Sequence, residues 1–153
     1  MEETPELVDV GTTENLNCVY MHSDTQIWIV GDKGLIFYIY NDGVSLDITQ
    51  QTSNTSENLT SVRYDLSGCG WISGDNGTVL RTTDLGVTWF LQSTITTEPL
   101  NDMSYVECNN AWAVGPNGLI IHTILNLILF HNLKHQILVS SYLHIISILT
   151  FMP

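Results

Sequence analysis

Positive charge is scarce in this sequence. Four Lys and Arg residues stand against sixteen Asp and Glu residues in a chain of 153, so the formal net charge is −12. Nucleic acids and anionic membranes bind proteins largely through clustered cations. The composition therefore argues against both as partners, and the simplest role of the acidic surface is to keep the protein in solution. The length is enough for one domain with its own core.

Cysteine and targeting signals are also sparse. Cys18, Cys69 and Cys108 fall at scattered positions and show no C-x-x-C spacing. An odd, scattered set predicts free core thiols, and neither a disulfide framework nor a zinc site. Residues 1–15 contain no basic segment and no apolar run, so we expect no secretory signal or plastid-type transit peptide in this chain.

Signatures of catalysis and metal binding are missing as well. The sequence contains no P-loop, no dinucleotide-binding fingerprint and no nucleophile-elbow serine. His131 and His135 have the i, i+4 spacing of two metal ligands on one helix face, but no Glu partner or third ligand accompanies them. We therefore predict no metal, no cofactor and no catalytic residue in this chain.

The segment from Trp71 to Trp89 is the unit from which the rest of the sequence is built. Its residues are WISGDNGTVLRTTDLGVTW. An apolar run ends at Gly74, and residues 75–77 are of types that tolerate positive φ in a tight hairpin turn. Residues 78–82 are β-branched and mixed in polarity, as in a strand of a packed sheet. The pattern predicts strand, turn, strand, polar turn and strand.

The same unit recurs on both sides. A shift of 43 residues towards the N-terminus and of 41 towards the C-terminus superimposes Trp28 and Trp112 on Trp71, with the glycines that follow each of them. Repeats of about forty residues with four strand-like runs are typical of β-propeller blades. We therefore predict an all-β fold, a partial β-propeller of about two to three four-stranded antiparallel blades with an irregular apolar C-terminal tail. The three tryptophans should form the repeat core, each on the second strand of its sheet and packed between blades.

The repeat divides the chain into five segments. Residues 1–15 should contain the outer strand of a preceding blade, formed by residues 7–10. Two blades should span residues 16–58 and 59–99, followed by a partial third blade at 100–123 and a non-repeat tail at 124–153. The Ser-, Thr-, Asn- and Gln-rich stretch 49–58 is expected to be an exposed loop.

The tail, residues 124–153, differs abruptly in composition, since it contains no Asp, Glu, Gly or Trp. Three interpretations remain open. A membrane span needs about 20 consecutive apolar residues, and the polar stretch 131–136 interrupts this one. A helix or a strand pair could instead cover the open edge of the third blade. Alternatively, the tail is translated beyond a truncated or mis-spliced gene.

A local motif, S/T-x-D-x-G-x-T-W, begins at the end of the predicted strand 78–82 and matches the Asp-box. Its residues are Thr82, Asp84, Gly86, Thr88 and Trp89. Short oxygen-bearing side chains can bond to nearby backbone amides and hold a hairpin closed. The glycine permits a sharp bend, and the tryptophan is a large group to bury. We predict a structural role for the box, with Asp84 as a latch.

Asp32 and Asp75 occupy equivalent turns, so in a propeller they would lie on one rim, where Arg63 is a further candidate. Two carboxylates about 5–10 Å apart could serve glycoside hydrolysis. The preferred interpretation is that Gly-Asp-x-Gly is turn chemistry, which is repeated because the blade is repeated.

The motif W-x-x-G-x-x-G, an apolar pair, and then T-x-D-x-G-x-x-W resemble the BNR/Asp-box repeat of the Ycf48-like propellers, which include photosystem II assembly factors of chloroplasts and cyanobacteria. The resemblance extends from about Leu16 to Thr123. It implies a non-catalytic scaffold that binds another protein during assembly, a photosystem II subunit in photosynthetic members, and a plastid, thylakoid or extracytoplasmic location. Four scattered cations cannot build the basic surface expected to engage that partner.

Two other classes also carry Asp-boxes and remain alternatives: glycoside hydrolases of the xyloglucanase or sialidase type, and receptor-like propellers that bind ligands. Sialidases hold the substrate carboxylate with an arginine triad, which Arg63 and Arg81 cannot supply alone. In each case a stack of blades with bare ends exposes apolar surface and strand edges. We therefore expect self-association through open blades.

Overall fold

The computed structural model describes residues 6–124 and 144–147, which form strands, turns and two short 3-10 turns. The strands make three four-stranded antiparallel sheets, or blades, each with its strands in sequence order. The predicted all-β architecture of successive four-stranded blades is confirmed. Blade 1 contains β1 (Leu16–Met21), β2 (Gln26–Gly31), β3 (Ile36–Asn41) and β4 (Leu46–Gln51); blade 2 contains β5 (Leu59–Tyr64), β6 (Gly70–Gly74), β7 (Val79–Thr82) and β8 (Phe90–Leu91); blade 3 contains β9 (Asp102–Glu107), β10 (Asn110–Val114), β11 (Ile120–Ile124) and β12 (His144–Ser147).

The turn between the second and third strands has the same backbone in every blade. Lys33, Asn76 and Asn117 have positive φ values of 56°, 53° and 55°, and a glycine with positive φ follows each of them. In blades 1 and 2 a Cβ on that glycine, Gly34 or Gly77, would collide with a backbone carbonyl of the connection to the next blade. Glycine therefore allows the turn and the connection to approach closely.

Antiparallel pairing sorts the loops onto two edges of the stack. The upper edge carries the turns between second and third strands and the connections between blades, at residues 32–35, 52–58, 75–78, 92–101 and 115–119. The lower edge carries the other hairpin turns, at residues 22–25, 42–45, 65–69, 83–89 and 108–109. Asp32 and Asp75 therefore lie on the upper edge, and the Asp-box lies on the lower edge.

Each sheet buries its apolar side chains against its neighbours. We call the face towards the next blade in sequence the trailing face, and the opposite face the leading face. The cluster between blades 1 and 2 contains Trp28, Val30, Ile36, Leu59, Val62, Tyr64, Ile72, Leu80 and Trp89. The cluster between blades 2 and 3 contains Cys69, Trp71, Val79, Leu100, Met103, Ala111, Ala113 and Ile121. The core of the protein therefore lies between blades.

Three tryptophans mark the trailing faces. Trp28 lies on β2, Trp71 on β6 and Trp112 on β10, which is the second strand of each sheet. Trp28 and Trp71 are fully buried, whereas Trp112 is 41% exposed. The expectation that all three pack between blades does not hold for Trp112, because no sheet among the described residues follows blade 3.

A disulfide joins Cys69 to Cys108, whose Cα atoms are 5.5 Å apart, and Cys18 is a free thiol. The prediction of three free thiols is therefore wrong. Cys69 ends the turn between β5 and β6, and Cys108 begins the turn between β9 and β10. The two turns meet at the boundary of blades 2 and 3 but differ in length, so the cysteines occupy non-equivalent positions of the sequence repeat.

Both ends of the repeat region differ from expectation. Residues 7–10 form no strand, because an outer strand needs the third strand of its own blade as a partner and the described residues contain none. The third blade is not partial, since β12 pairs with β11 from Ile121 opposite Ser147 to Ile124 opposite His144. This pairing agrees with the interpretation in which the tail covers an open edge.

The rest of the tail, which includes His131 and His135, lies outside the described residues, as do residues 1–5. Within the part of the chain that the structure describes, no helix is long and apolar enough to cross a membrane. In the same part, no three side chains of His, Cys, Asp or Glu are grouped so that they could hold a metal ion.

Replacing Trp71 with Ala should lower the free energy of unfolding by about 3–5 kcal/mol, because it empties a fully buried site between blades 2 and 3. Urea denaturation followed by circular dichroism measures the change. Leu66→Ala is the control, since Leu66 is 94% exposed in a lower-edge turn and its truncation should cost less than about 0.5 kcal/mol. Equal stability of the two variants would contradict the packing of Trp71 between blades.

Replacing both Cys69 and Cys108 with Ser should destabilise the oxidised protein by about 2–4 kcal/mol, because the disulfide restricts the unfolded chain. Cys18→Ser removes a thiol without removing a cross-link and should change the free energy of unfolding by less than about 1 kcal/mol. Thiol titration of the unfolded, unreduced wild-type chain should find one reactive sulfur. A result of three thiols would show that the cross-link is not formed.

Candidate functional site

The Asp-box is held together by its own side chains. The Thr82 hydroxyl donates to Asp84 Oδ1 at 2.6 Å and accepts the Gly86 N–H at 3.0 Å. The same carboxylate oxygen accepts the Thr88 N–H at 2.9 Å. The Thr82 hydroxyl and the Thr88 amide hold the pKa of Asp84 below its usual value. The Asp84 carboxylate is therefore bound by groups of its own turn and holds that turn closed.

The Asp-box also connects blade 2 to blade 1. Trp89 is buried, and its Nε1 donates to Gln51 Oε1 at 3.1 Å. Gln51 lies at the end of β4, and its Nε2 donates to the Leu85 carbonyl at 3.3 Å. The box therefore fixes the lower edge of blade 2 against the outer strand of blade 1.

Asp32 and Asp75 are bound by asparagines at the start of their blades. Asn15 Nδ2 donates to Asp32 at 2.8 Å, and Asn58 Nδ2 donates to Asp75 at 3.1 Å. A second donor to Asp32 is Asn17 Nδ2 at 2.9 Å. Asn17 and Asn15, in that order, keep the pKa of Asp32 below its usual value. Each carboxylate therefore ties its upper-edge turn to the start of its own blade.

Arg63 and Asp102 form an ion pair between blades 2 and 3. Arg63 Nη2 lies 2.9 Å from Asp102 Oδ1, and the Ser61 hydroxyl donates to the same oxygen at 2.7 Å. Burial raises the pKa of Asp102, but the bonds from Ser61 and from the Met103 N–H, with the charge of Arg63, outweigh it and lower the pKa. The possible rim residue Arg63 is therefore engaged in the interface between blades.

Arg81 is engaged at the same boundary. Its Nη2 lies 3.0 Å from Cys108 Sγ, and its Nε donates to the Cys108 carbonyl at 3.3 Å. The Trp71 indole N–H donates to that carbonyl at 3.2 Å, and the Arg81 guanidinium lies 5.6 Å from the Trp71 ring centre. Lys33, the other described cation, pairs with Glu14 at 2.7 Å. All three described cations are thus bonded to protein groups.

A groove lies at the end of β4, beside the Asp-box turn of blade 2, and sequence reasoning missed it. No described strand pairs with the outer side of β4, so its backbone is open there. A cleft of about 550 Å³ on the upper edge meets one of about 410 Å³ beside the Asp-box. We call the two together the β4 groove; its lining residues are Gln26, Lys33, Gly34, Tyr38, Thr49, Gln50, Gln51, Thr52, Ser53, Asn54, Thr55, Ser56, Leu85, Gly86 and Val87.

The β4 groove has an unusual charge for this protein. Its lining consists of amides, hydroxyls, a few apolar groups and one ammonium, and it contains no carboxylate, although the chain carries sixteen. The signal in the sequence for this groove is the polar stretch 49–58, whose composition predicts an exposed loop. Residues 49–51 instead complete β4, and residues 52–56 line the upper cleft.

Comparison with known proteins gives a match to a family model and matches to solved structures. Residues 5–83 match the model of a family described as photosynthesis system II assembly factor YCF48. A solved structure described as YCF48 bound to D1 peptide is similar, with a TM-score of 0.67 and 19% identity over 80% of this chain and 41% of that one. This chain thus spans less than half the length of that relative, and the likeness at this identity shows the propeller fold. No curated protein matches.

Replacing Asp84 with Ala should cost about 1 kcal/mol of stability at neutral pH, because it removes the bonds to Thr82 and Thr88. The lowered pKa of Asp84 contributes stability above the unfolded-state value near pH 4, and this contribution is lost as the pH falls through the lower folded value. The stability difference between wild type and variant should therefore shrink in acid.

Urea titrations at pH 7 and pH 3 test this dependence. Asp24→Ala is the matched control, because Asp24 is an exposed lower-edge carboxylate for which the described structure records no hydrogen bond. It should change stability little at either pH. An equal loss for the two variants at pH 7 would show that Asp84 is not a latch.

Proposed function

The chain belongs to the YCF48 photosystem II assembly factor family, and on that premise we propose that it is a non-catalytic scaffold that binds a segment of a photosystem II subunit during assembly. The family match carries this proposal. The propeller architecture supports it, since stacked blades present grooves and loop edges to other proteins.

The uses of the polar side chains support a role without catalysis. Asp84 closes its own turn, and Asp32 and Asp75 are bound by asparagines at the starts of their blades. Arg63 and Arg81 bridge blades 2 and 3. These are the charged candidates for binding and transforming a substrate, and each is engaged either in a turn of its own blade or in the contact between blades 2 and 3.

The β4 groove is the part of the surface that we assign to the partner. An open strand edge can accept an extended peptide as a further strand, in which main-chain hydrogen bonds supply affinity and side-chain contacts supply specificity. Gln50 and Thr52 are exposed in the groove and offer amide and hydroxyl groups, while Leu85 and Val87 offer apolar contact. The groove therefore suits an extended segment.

The chemistry of the groove also limits the partner. With no carboxylate in its lining and a net charge of −12 on the chain, the groove suits a neutral or basic segment better than an acidic one. The related solved structure contains a D1 peptide, so we take a D1 segment of this kind as the first candidate. The Cys69–Cys108 disulfide fits an oxidising compartment, which agrees with a thylakoid-associated site of action.

Binding of fluorescently labelled synthetic D1 peptides, measured by anisotropy, tests the function and the groove together. At least one peptide should bind saturably, and its scrambled form should not. Gln50→Trp places a bulky ring in the groove and should weaken binding at least about tenfold, or 1.4 kcal/mol. Ser93→Trp is the control, because Ser93 occupies the repeat position of Gln50 in blade 2, and it should leave affinity unchanged.

Two results would count against this assignment in different ways. If no D1 peptide binds the wild type, the proposed partner is wrong. If a peptide binds but Gln50→Trp has no more effect than Ser93→Trp, the partner stands and the β4 groove is not its site.

A further inference from the structure

One sulfur of the Cys69–Cys108 disulfide is accessible and lies beside a cation. Cys69 is buried, whereas Cys108 is half-buried in the short turn between β9 and β10. Arg81 Nη2 lies 3.0 Å from Cys108 Sγ. A guanidinium at this distance stabilises a thiolate, and exposed disulfides are the ones that exchange with external thiols. The position of Cys108 therefore suits thiol–disulfide exchange.

The buried partner, Cys69, belongs to a turn that contacts the Asp-box. Gly68 precedes Cys69, and its carbonyl accepts the Leu85 N–H at 3.1 Å. A Cβ on Gly68 would lie 3.1 Å from Leu85 Cγ, so the leucine side chain packs on this glycine. The turn at residues 65–69 and the Asp-box are therefore joined by a backbone hydrogen bond and by side-chain packing.

Leu85 has a backbone conformation that depends on such contacts. Its φ is 58°, in the left-handed region where the Cβ of a leucine is crowded by the following carbonyl oxygen. Conformations of this kind persist only where the surroundings hold them. The hydrogen bonds within the Asp-box involve its other residues. Leu85 itself is held by the Gly68 carbonyl at its N–H and by Gln51 Nε2 at its carbonyl.

Leu85 and Gln51 also line the β4 groove. A continuous series of bonds therefore leads from the half-buried sulfur of Cys108 to this groove. It consists of the disulfide, the peptide bond between Gly68 and Cys69, the hydrogen bond from Leu85 to Gly68, and the hydrogen bond from Gln51 to Leu85.

We propose that the Cys69–Cys108 disulfide is a redox switch for the β4 groove. In the oxidised chain the fixed turn at 65–69 holds Leu85 and Gln51 in the arrangement that binds the partner, and reduction frees the turn and weakens binding. The disulfide supplies the two discrete states that coupling between two sites requires. This proposal rests on the proposed function, because it concerns the regulation of the same groove.

The reductant is a dithiol, and the exchange has two steps. Its thiolate attacks Cys108 Sγ, the more accessible sulfur, and the Cys69–Cys108 bond breaks as Cys69 leaves and takes up a proton. The second thiol of the reductant loses its proton and attacks the first, which releases Cys108 as a thiolate beside Arg81. The two protein sulfurs gain two electrons, and the dithiol becomes a disulfide.

Hydrogen exchange tests the switch without any peptide. In the ¹⁵N-labelled 153-residue chain, reduction with tris(carboxyethyl)phosphine should speed exchange of the Leu85 N–H at least about tenfold, because its bond to Gly68 is freed. The Asn41 N–H is the control, since it donates to Thr25 within blade 1 and should exchange at the same rate in both states. Equal acceleration of the two amides indicates general destabilisation and overturns the proposal, as does an unchanged rate at Leu85.

Peptide binding tests the consequence. A D1 peptide that binds the oxidised chain should bind the reduced chain about tenfold more weakly, as measured by anisotropy. The variant in which both Cys69 and Cys108 are Ser should show the weaker affinity with and without reductant, and Cys18→Ser should respond to reductant as the wild type does. By linkage, saturating peptide should lower the midpoint potential of the disulfide by about 30 mV, which corresponds to the tenfold preference.

The outcomes separate the two proposals. A peptide that binds both redox states equally overturns the switch and leaves the proposed function intact. If no D1 peptide binds the oxidised chain, the proposed function fails, and selective acceleration at Leu85 still supports control of the groove by the disulfide. A reduced chain that circular dichroism shows to be unfolded also overturns the switch, because the disulfide is then only a structural cross-link.

Discussion

The packing of a second-strand indole against the next blade is the interaction on which the other features depend. A single four-stranded blade has two apolar faces and cannot bury either alone, so the repeat is stable only as a stack. Trp28 and Trp71 fill the two internal boundaries. With the blades packed in this way, the first strands of neighbouring blades lie close together. Asn17 Nδ2 donates to the Leu59 carbonyl at 2.9 Å. The hydroxyl of Thr60, which occupies the repeat position of Asn17, donates to the Leu100 carbonyl.

The packing of the blades also explains why residues that suggest catalysis or ligand binding in the sequence have structural roles in the folded protein. Carboxylates in tight turns accept backbone and amide hydrogen bonds, as Asp84 and Asp32 do, and such bonds are local. Arginines that cross a blade boundary find carbonyls, a carboxylate or an indole there, as Arg63 and Arg81 do. The outer side of β4, in contrast, pairs with no described strand, and the two clefts at its end have no carboxylate in their lining.

Features that recur in each repeat could be predicted from the sequence, whereas features that occur only once could not. The period, the strand positions of the three tryptophans and the turn chemistry of the Asp-box follow from local patterns that recur. The disulfide joins turns of unequal length, so no pattern within one repeat reveals it. The pairing of β12 with β11 depends on a segment far along the chain with no repeat signature. The β4 groove depends on which strand edge stays open, and this is a property of the assembled blades.

The two boundaries between blades differ in the interactions that stabilise them, although equivalent residues of the repeat form both. Between blades 2 and 3 the indole N–H of Trp71 has a carbonyl partner, and an ion pair and a disulfide support the contact. Between blades 1 and 2 neither the indole N–H of Trp28 nor the hydroxyl of Tyr64 has a partner among the described residues, and burial raises the pKa of Tyr64. Each unpaired polar group lowers the stability of the fold by about 1–3 kcal/mol. Aromatic contacts around these groups offset this loss by about 0.5–1.5 kcal/mol per pair; the ring centres of Tyr64 and Trp28, for example, lie 4.0 Å apart. The repeat therefore fixes where a side chain lies, while each boundary is stabilised by its own chemistry, aromatic in one case and polar and covalent in the other.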